Sequence, residues 1–468
     1  MNQQVNSVFQ TIDGEQFGVY ETAVEAIAAS AAAQVEFQNE FGTEARNRII
    51  AAIRQVILDS AGPLGEMAVE ESGLGRVAHK IAKNQLSATA TPGTESLLTQ
   101  AISSDDGLTI EERAPFGLIG AVTPVTNEIP TIVSNVISML AGGNAVVFNV
   151  HPSAKMTSAV AIDRINRAII ASGGPADLVT MIKDPTLDTL QEIVQAPEVR
   201  LLVGTGGPGL VKALLSSGKK AIGAGAGNPP VVVDGSADVA LAGASIVAGA
   251  SFDNNLLCIG EKEVFVVEPQ AEALIDAMMQ SGAYLLNTEQ VEQVTNLVLT
   301  ADDNEEMAIA CSFGMDREYH LRKEWVGQDA KKILGAIGVE VDTPVDLLIF
   351  DAQVNNPFVQ LEQMMPVLPI VRCQGFAQAV DFAVDAEHGN RHSACIYSNN
   401  VNNVTYFAKR IGTTVFTQNG PTLVGLGYGG AGTTSFTIAG PTGEGITTAR
   451  DFTRVRRFAI AQGGNRII

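Results

Sequence analysis

The sequence predicts an α/β fold with two domains, each built on a parallel-type sheet, and a small additional arm. Short apolar runs alternate with helical segments from Leu118 onward, as strands and helices do in βαβ units. The chain has 468 residues, more than one hydrophobic core usually accommodates, and 46% of them are apolar. A glycine-rich stretch, Gly223–Pro230, separates two halves of similar pattern. These observations favour two domains.

Helices open the chain in this prediction, and α/β units follow. The Ala-rich segment Thr22–Phe37 and the segment Glu44–Ser60 are predicted helices, and Gly62-Pro63 is expected to end the second. In the first half, strands are predicted at Leu118–Val122, Ala145–Asn149, Leu178–Ile182 and Arg200–Val203, with helices over Pro130–Leu140, Ala154–Ala171 and Gly209–Ser217 and another after Pro185. In the second half, strands are predicted at Pro230–Val233, Glu263–Val267, Leu347–Phe350, Ala394–Tyr397 and Thr414–Phe416, with helices over Asp238–Ser251 and Gln270–Gln280.

The domain boundaries follow from this pattern. We assign residues 1–228 to a cofactor-binding domain, 229–432 to a catalytic domain and 433–468 to a C-terminal arm. Gly107–Arg113 and the segment after Thr433 alternate polar and apolar residues, as half-buried strands do. They predict an oligomerisation arm with one strand near 107–117. A homodimer or homotetramer would cover the edges of these strands.

Composition excludes several classes of function. With 51 acidic and 30 basic residues the net charge is -21, so nucleic acid and anionic membranes are not expected partners. The four cysteines, Cys258, Cys311, Cys373 and Cys395, are widely spaced and are interpreted as free thiols. Only five histidines are present and none forms a ligand cluster with cysteine, so no metal site is expected.

The N-terminus lacks the features of a signal peptide, and no apolar run is long enough to span a membrane, so a cytoplasmic protein is expected. Val5, Val8, Phe9 and Ile12 share one face of a short helix. This helix is interpreted either as a first turn that packs on the body or as a docking peptide for a larger assembly.

Chemistry-bearing residues follow the predicted strands. Thr123 and Asn127 come directly after the strand Leu118–Val122, where an amide could donate to an oxyanion, although an Asx-turn is the simpler interpretation. Cys258 lies in a loop before Glu263–Val267 and is a candidate nucleophile, although a lone cysteine is more often a small buried hydrophobe. Thr205, Gly206 and Gly207 lie between a strand and a helix, where glycines allow a phosphate to approach.

Taken together and in this order, these segments resemble the aldehyde dehydrogenase superfamily. The resemblance is greatest to the coenzyme A-acylating acetaldehyde and propionaldehyde dehydrogenases of bacterial microcompartments. It extends from about Gly18 to the C-terminus. The matching segments are Glu71-Ser72-Gly73-Leu74-Gly75, Ala114–Gly117, Thr123–Asn127, Asn149–Pro152, Gly204–Gly209, Gly223–Pro230, Ser251–Cys258, Glu362–Val367, His392-Ser393-Ala394, Asn419-Gly420-Pro421 and Pro441–Gly445.

The resemblance implies an aldehyde dehydrogenase-like fold and a role for each matching residue. Cys258 corresponds to the catalytic thiol and Asn127 to the amide of the oxyanion hole. The residues that correspond to the cofactor site are Thr123, His151, Pro152, Thr205, Gly206, Gly207 and Glu362. Among these, Glu362 holds the nicotinamide ribose, and Gly206 and Gly207 meet the pyrophosphate. His151-Pro152 falls where related hydrolytic enzymes carry Lys-Pro against the adenosine ribose.

The implied reaction is the reversible oxidation of a short-chain aldehyde to acyl-coenzyme A, with NAD as hydride acceptor and a thioester on Cys258 as intermediate. NADP stays open because Ala154 lacks a carboxylate that would repel a 2′-phosphate. Two alternatives remain. A hydrolytic enzyme would need a carboxylate base at the position of Ala224, and a catalytically silent component of a microcompartment would need none of this chemistry. Residence in a microcompartment, through contact of the N-terminal segment with its shell, also stays open.

Overall fold

Two α/β units make up the part of the chain that the computed structural model describes, residues 16–302 and 318–461. The first unit takes its described residues from Met1–Ser72, Ile81–Ala224 and Thr433–Ile468, and the second from Gly73–Lys80 and Gly225–Gly432. The segment Val5–Ile12 and Cys311, both considered in the sequence analysis, lie outside the described residues.

The first unit is organised around a six-stranded parallel sheet. Its helices are α1 (Ala23–Glu40), α2 (Thr43–Ser72), α3 (Val77–Ala90, from Ile81 onward), α4 (Glu128–Ala141), α5 (Lys155–Ala171), α6 (Leu187–Gln195) and α7 (Pro208–Leu215). Its strands are β1 (Val19–Tyr20), β2 (Gln100–Ser104), β3 (Gly107–Pro115), β4 (Leu118–Val122), β5 (Ala145–Asn149), β6 (Val179–Ile182), β7 (Val199–Thr205) and β8 (Lys220–Ala224).

The strand order of this sheet indicates where a ligand would be expected to bind. The order is β1-β6-β5-β4-β7-β8, and every pair is parallel. The chain proceeds from β4 to β5 and β6 on one side and returns to β7 on the other. Ligands of open parallel sheets bind where the order reverses in this way, outside the carboxyl ends of the strands. In this sheet that point lies at the carboxyl ends of β4 and β7.

The second unit contains a seven-stranded parallel sheet. Its helices are α8 (Val239–Ser251), α9 (Glu268–Gln280), α10 (Thr288–Val298), α11 (Ala330–Ala336), α12 (Pro357–Gln360), α13 (Phe376–Ala386) and α14 (Val401–Ile411). Its strands are β9 (Pro230–Val233), β10 (Glu263–Val267), β11 (Ala283–Leu285), β12 (Leu299–Asp302), β13 (Glu318–Leu321), β14 (Leu347–Ala352), β15 (Val367–Cys373), β16 (Ser393–Tyr397) and β17 (Val415–Gln418). The sheet order is β11-β14-β15-β10-β9-β16-β17, and β12 pairs with β13 separately.

The C-terminal segment returns to the first unit. It contributes β18 (Ile438–Ala439), β19 (Gly445–Ile446) and β20 (Thr453–Ala461). β20 pairs antiparallel with β3 from Thr453↔Pro115 to Ala461↔Gly107, and β2 pairs with the other edge of β3. The result is a three-stranded antiparallel sheet. β2 was not predicted, because its short polar sequence carries little strand signal.

One helix boundary was predicted wrongly. Gly62-Pro63 was expected to end a helix, but α2 continues through Pro63 to Ser72. A proline inside a helix costs roughly 3 kcal/mol, because it removes one backbone hydrogen bond and crowds the preceding turn. Buried side chains on both sides of it, including Ile57, Leu64 and Met67, hold the helix against the unit's core and offset that cost.

Four parallel strands were also missed, β1 and β8 in the first unit and β11 and β15 in the second. β1 is only two residues long, and β8 consists of Lys-Ala-Ile-Gly-Ala. The sequence analysis placed Gly223 and Ala224 in the glycine-rich stretch that separates the two halves, but they form the end of β8 and pair with Gly204 and Thr205. Small residues carry little strand propensity, so the pairing with β7 decides their conformation.

No described helix is both long and apolar enough to cross a membrane.

Candidate active site

The predicted site residues of the first unit lie at the carboxyl edge of its six-stranded sheet. β4, β5 and β7 are parallel, so their carboxyl ends meet at the same edge. The residues that follow these ends are Thr123, Asn127, His151, Pro152, Gly206 and Gly207, and Thr205 is the last residue of β7. The tertiary structure therefore brings seven of the predicted residues to one edge.

Asn127 is buried beside a lysine that the sequence analysis did not select. Lys83 Nζ donates to Asn127 Oδ1 at 2.7 Å and to the Thr126 carbonyl oxygen at 3.0 Å. Asn127 Nδ2 donates to Thr126 Oγ1 at 3.2 Å. Asn127 is the N-cap of α4, yet its side chain accepts no N–H from the described first turn of that helix. The simple Asx-turn interpretation therefore does not describe this side chain.

One backbone N–H of the glycine turn after β7 is already used in a hydrogen bond within the protein. Gly206 N–H donates to the Ala224 carbonyl oxygen at 3.1 Å. Gly207 is the N-cap of α7, which Pro208 begins, and no described heavy atom lies within 4 Å of a Cβ built at Gly207. The open surface for a phosphate therefore begins at Gly207 and the first turn of α7, rather than at Gly206.

Three neighbouring polar residues of this edge have different surroundings. Thr123 is buried, and its Oγ1 has no hydrogen-bond partner among the described residues. Thr205 Oγ1 lies 2.9 Å from Thr437 Oγ1. His151 is exposed, and its Nδ1 accepts the Ser153 N–H at 3.2 Å. A buried hydroxyl without a partner is unusual, so Thr123 is the member of this group best suited to bind a ligand.

Cys258 follows a loop with a strained backbone. Asp253, Asn254 and Asn255 have φ values of 51°, 54° and 63°, in the left-handed region. For residues with a Cβ each such conformation costs roughly 1–2 kcal/mol, although Asn and Asp tolerate it best. Three consecutive residues of this kind require a surrounding structure that holds them.

Buried side chains supply that support. Asp253 Oδ1 accepts the Arg76 N–H at 2.9 Å, and Asn254 Nδ2 donates to the Gly327 carbonyl oxygen at 2.8 Å. Asn255 Nδ2 donates to the carbonyl oxygens of Ala250 at 2.8 Å and Glu261 at 2.9 Å. These amides therefore tie the loop to α8 and to the segment that leads into β10.

Lys262 completes this support from inside the loop. Its side chain is fully buried. Nζ donates to the carbonyl oxygens of Asn255 at 2.8 Å and Leu257 at 3.3 Å, and also to Asn255 Oδ1. Lys262 thus holds the backbone on the N-terminal side of Cys258 and places a positive charge beneath the loop.

Electrostatics connect Cys258 with Glu362. Burial and the Glu362 carboxylate raise the pKa of the Cys258 thiol to about 12, while Lys262 acts in the opposite direction. Burial also raises the pKa of Glu362, opposed by Lys262 and by the Gly227 N–H. The structure therefore groups Cys258 and Glu362 in the second unit, and it adds Lys262, whose positive charge acts on both.

His392 is a further buried group of this unit to which the sequence analysis assigned no role. Its Nδ1 lies 2.8 Å from Ser393 Oγ, and burial together with Lys262 lowers the pKa of His392 to about 4. The ring is therefore neutral near pH 7. A Cβ at Gly227 would lie 2.7 Å from the Cys258 carbonyl oxygen and 2.9 Å from His392 Cγ, so only glycine fits there.

The sequence offered little signal for the two buried lysines. Lys262 belongs to the run Glu261-Lys262-Glu263, and such a charged triplet normally indicates a solvated surface. Lys83 lies in a helix with an ordinary polar pattern. Both become recognisable only when their burial and their hydrogen bonds to asparagine oxygens are known. His392 was within a matching segment, but the sequence did not show its burial.

The first unit has a parallel sheet with ligand-type residues at its carboxyl edge, and the second has a half-buried thiol on a loop that buried amides hold. This combination is typical of α/β enzymes with a cysteine nucleophile. The aldehyde dehydrogenase family profile matches residues 18–456, and the chain belongs to that family. Both the predicted fold class and the resemblance stated above are thereby confirmed.

Relatives and solved structures resemble the chain over nearly its whole length. The acetylating acetaldehyde dehydrogenase EutE of Escherichia coli (strain K12) is 43% identical over 446 residues, which are 95% of this chain and 92% of that protein. A propionaldehyde dehydrogenase from the Clostridium phytofermentans fucose utilisation bacterial microcompartment is 44% identical with a TM-score of 0.90, covering 96% and 99% of the two chains. A Rhodopseudomonas palustris propionaldehyde dehydrogenase with bound CoA and an acylated cysteine has the same identity, TM-score and coverage.

Proposed function

We propose that this chain is an NAD-dependent, coenzyme A-acylating dehydrogenase of short-chain aldehydes, working reversibly through a thioester on Cys258. The observation that carries the proposal is the Cys258 thiol at the end of a strained loop that Lys262 and buried amide side chains hold in place. The relatives named for acetaldehyde and propionaldehyde, and the relative with bound CoA and an acylated cysteine, support the same chemistry.

The residues present fit a dinucleotide. The partnerless hydroxyl of Thr123 and the open first turn of α7 offer a donor and a phosphate-binding helix start. Glu362 offers a carboxylate for ribose hydroxyls, as the family resemblance implies, and His151-Pro152 would face the adenosine end. When bound, the oxidised nicotinamide accepts a hydride from the aldehyde carbon. NADP is a second candidate, because Ala154 supplies no carboxylate against a 2′-phosphate.

The chain's residues have distinct tasks in this scheme. Cys258, as the thiolate, forms a bond to the carbonyl carbon of the aldehyde and generates an oxyanion. Asn127 Nδ2 and the Cys258 backbone N–H are the proposed donors to that oxyanion, and one such donor is typically worth about 3 kcal/mol. Loss of hydride leaves an acyl thioester on Cys258. The coenzyme A thiol then takes the acyl group, Cys258 departs as the leaving thiolate, and one proton is released overall.

Hydrolysis is the main alternative, since it differs only in the acyl acceptor. It requires a carboxylate that activates water. Ala224, at the corresponding position, is a buried side chain at the end of β8 and cannot act as a base. The buried carboxylate of Glu261 is already engaged, because it accepts the Thr422 N–H at 2.8 Å. These observations favour an acceptor that brings its own nucleophile.

A burst experiment distinguishes the three candidate functions. Purified enzyme is mixed with NAD and propanal, first without and then with coenzyme A, and NADH formation is followed. We expect about one equivalent of NADH per active subunit without coenzyme A and sustained turnover with it. Mass spectrometry should then find the propionyl mass on the Cys258 peptide. Sustained propionate formation without any thiol would establish the hydrolytic enzyme, and the absence of both burst and turnover with a panel of short aldehydes would leave the silent structural component.

The three-stranded sheet is proposed to support a homodimer or homotetramer. Ile102 and Val455 lie on one face of it and Phe458 on the other, and these side chains are 58%, 51% and 63% exposed. Exposed apolar residues on open strands are an aggregation hazard unless a partner covers them. Analytical ultracentrifugation at micromolar concentration should show an oligomer, and a stable monomer would contradict the proposal.

Residence in the cytoplasm or in a microcompartment, with the shell as partner, is proposed from the relative named for such a compartment.

A further inference from the structure

Lys83 and Asn127 form a buried pair in the first unit. Lys83 lies on α3 with 1% of its surface exposed, and Asn127 is 6% exposed. Nζ donates to Asn127 Oδ1 at 2.7 Å and to the Thr126 carbonyl oxygen at 3.0 Å. Two acceptors from consecutive residues therefore fix the position of the amine directly beside the amide.

The contact decides which end of the amide faces which way. An asparagine side chain has an accepting oxygen and a donating nitrogen of nearly equal size, so its surroundings must choose between two orientations. A lysine ammonium only donates, and it therefore selects the oxygen. The Nδ2 end is left on the opposite side, where one N–H donates to Thr126 Oγ1 at 3.2 Å and the second can donate to another acceptor.

A competing arrangement exists at the same residue. Asn127 is the N-cap of α4, and an asparagine there ordinarily uses its oxygen to accept an N–H of the first helical turn. That bond is not made within the described first turn, and Lys83 takes the oxygen instead. Without the amine, the oxygen would be released to cap the helix and the amide would rotate.

We propose that Lys83 is a positioning residue that orients the Asn127 amide so that Nδ2 can donate to the reaction's oxyanion. This proposal rests on the role of Asn127 in the proposed function. Lys83 touches no reacting atom in this scheme. Its effect is to hold a donor in place before the negative charge develops, so that no reorganisation is needed when it does.

The test compares Lys83→Met, Asn127→Ala and the double variant in steady-state kinetics with propanal, NAD and coenzyme A. Asn127→Ala should lose about a hundredfold or more in kcat, the usual effect of one oxyanion donor. Lys83→Met should lose about tenfold or more in kcat, with the KM values for propanal and NAD changed by less than about threefold. The double variant should resemble Asn127→Ala within about threefold, because the amine acts only through that amide.

A matched control and a conservative variant make the test specific. Lys219 Nζ likewise donates a hydrogen bond to a backbone carbonyl oxygen, that of Ala196. Lys219, however, directly precedes β8, at the opposite edge of the sheet. Lys219→Met should keep kcat within about twofold. Lys83→Arg still donates and should retain more activity than Lys83→Met. If Lys83→Met does not fold, the kcat of Lys83→Arg is compared with the kcat of Lys83→Gln instead.

The outcomes separate the two proposals. Loss of kcat in Asn127→Ala with normal kcat in Lys83→Met, or additive losses in the double variant, would overturn the positioning role and leave the proposed function intact. Normal kcat in Asn127→Ala would overturn the oxyanion role of Asn127 itself, and the positioning role with it.

Discussion

The two units each contain a fully buried lysine that binds an asparagine oxygen, yet the two lysines are suited to different tasks. Lys83 holds Asn127 Oδ1 and one carbonyl oxygen, and Asn127 has an ordinary negative φ of -141°. Lys262 holds Asn255 Oδ1 and two carbonyl oxygens, and Asn255 has a left-handed φ of 63°. The same contact orients a donor in one unit and supports a strained loop in the other.

The charges around the two lysines show the difference more clearly. Lys262 lies among Glu362, Glu263, Glu261 and the Cys258 thiol, whose charges oppose the lowering of its pKa by burial. Its positive charge also acts on the Cys258 thiol, the proposed nucleophile. A buried lysine can position atoms through its hydrogen bonds, as proposed for Lys83, and it can also change the ionisation of a neighbour, as Lys262 does for Cys258. Experiments can separate the two effects.

The largest expected effect comes from removing the nucleophile. Cys258→Ala should lose at least about a thousandfold in rate, because covalent catalysis disappears. Substituting Cys311, Cys373 or Cys395 by Ser should leave most activity. Steady-state NADH formation with propanal and coenzyme A measures both. Near-normal turnover of Cys258→Ala would show that the assignment of the second unit's loop is wrong.

The next effect concerns stability in the acidic environment of Lys262. Burial raises the pKa of Glu261 from 4.5 to about 7, so the folded protein favours the protonated acid. Stability is therefore lost as pH rises from the unfolded pKa through the folded one. Glu261→Gln removes this dependence. Its unfolding free energy relative to the parent chain should increase by on the order of 3 kcal/mol between pH 4 and pH 8.

Urea unfolding of both proteins across this pH range measures the difference. Glu21→Gln, which removes an exposed carboxylate, is measured alongside so that the loss of one negative charge is accounted for. A difference between the parent chain and Glu261→Gln that stays constant with pH would mean that Glu261 does not change its protonation on unfolding.

A smaller effect distinguishes the two lysines directly. Lys262→Met should raise the pKa of Cys258, because a positive charge that favours the thiolate is lost. Iodoacetamide labelling of Cys258, followed by mass spectrometry from pH 6 to pH 10, should slow by about tenfold or more at each pH. Lys83→Met should leave this labelling profile unchanged, although it lowers kcat. Equal effects of both variants on labelling would remove the distinction drawn above.

The smallest effect has opposite signs in two measurements. Glu362→Gln removes a negative charge that raises the pKa of Cys258, so the thiolate should form more readily. Labelling at pH 8 should become faster by about threefold to tenfold. Turnover should nevertheless fall, with a higher KM for NAD, because the proposed ribose ligand is lost. Slower labelling would contradict the electrostatic link between Glu362 and Cys258.

The sequence predicted regular elements best where apolar residues are dense. β4, β5, β9 and β10 have the bounds that were predicted, because a parallel strand buried on both faces requires a short continuous apolar run. It failed where neighbours decide the conformation. Pro63 lies inside α2 because buried side chains hold the helix on both sides, and β8 forms from small residues because β7 pairs with it.

The candidate site divides in the same way. Residues next to strand ends, such as Thr123 and Gly207, could be selected from the sequence because strand position implies sheet edge. The tertiary structure added that Gly206 N–H is engaged and that Thr123 Oγ1 has no partner among the described residues. Such details depend on atoms far away in sequence, and no local pattern contains them.

The sequence by itself determined the class of fold and the family, and it supplied the candidate site residues, because glycine turns, strand ends and a loop cysteine are local features. Only the tertiary structure decided which charges are buried together. Lysine normally lies at the protein surface, and nothing in the local sequence marks Lys83 or Lys262 as an exception. Each is a buried donor because elements distant in sequence enclose it. Burial strengthens the electrostatic interactions of a charge and restricts it to the partners beside it. Burial is a property of the packed chain rather than of any one segment.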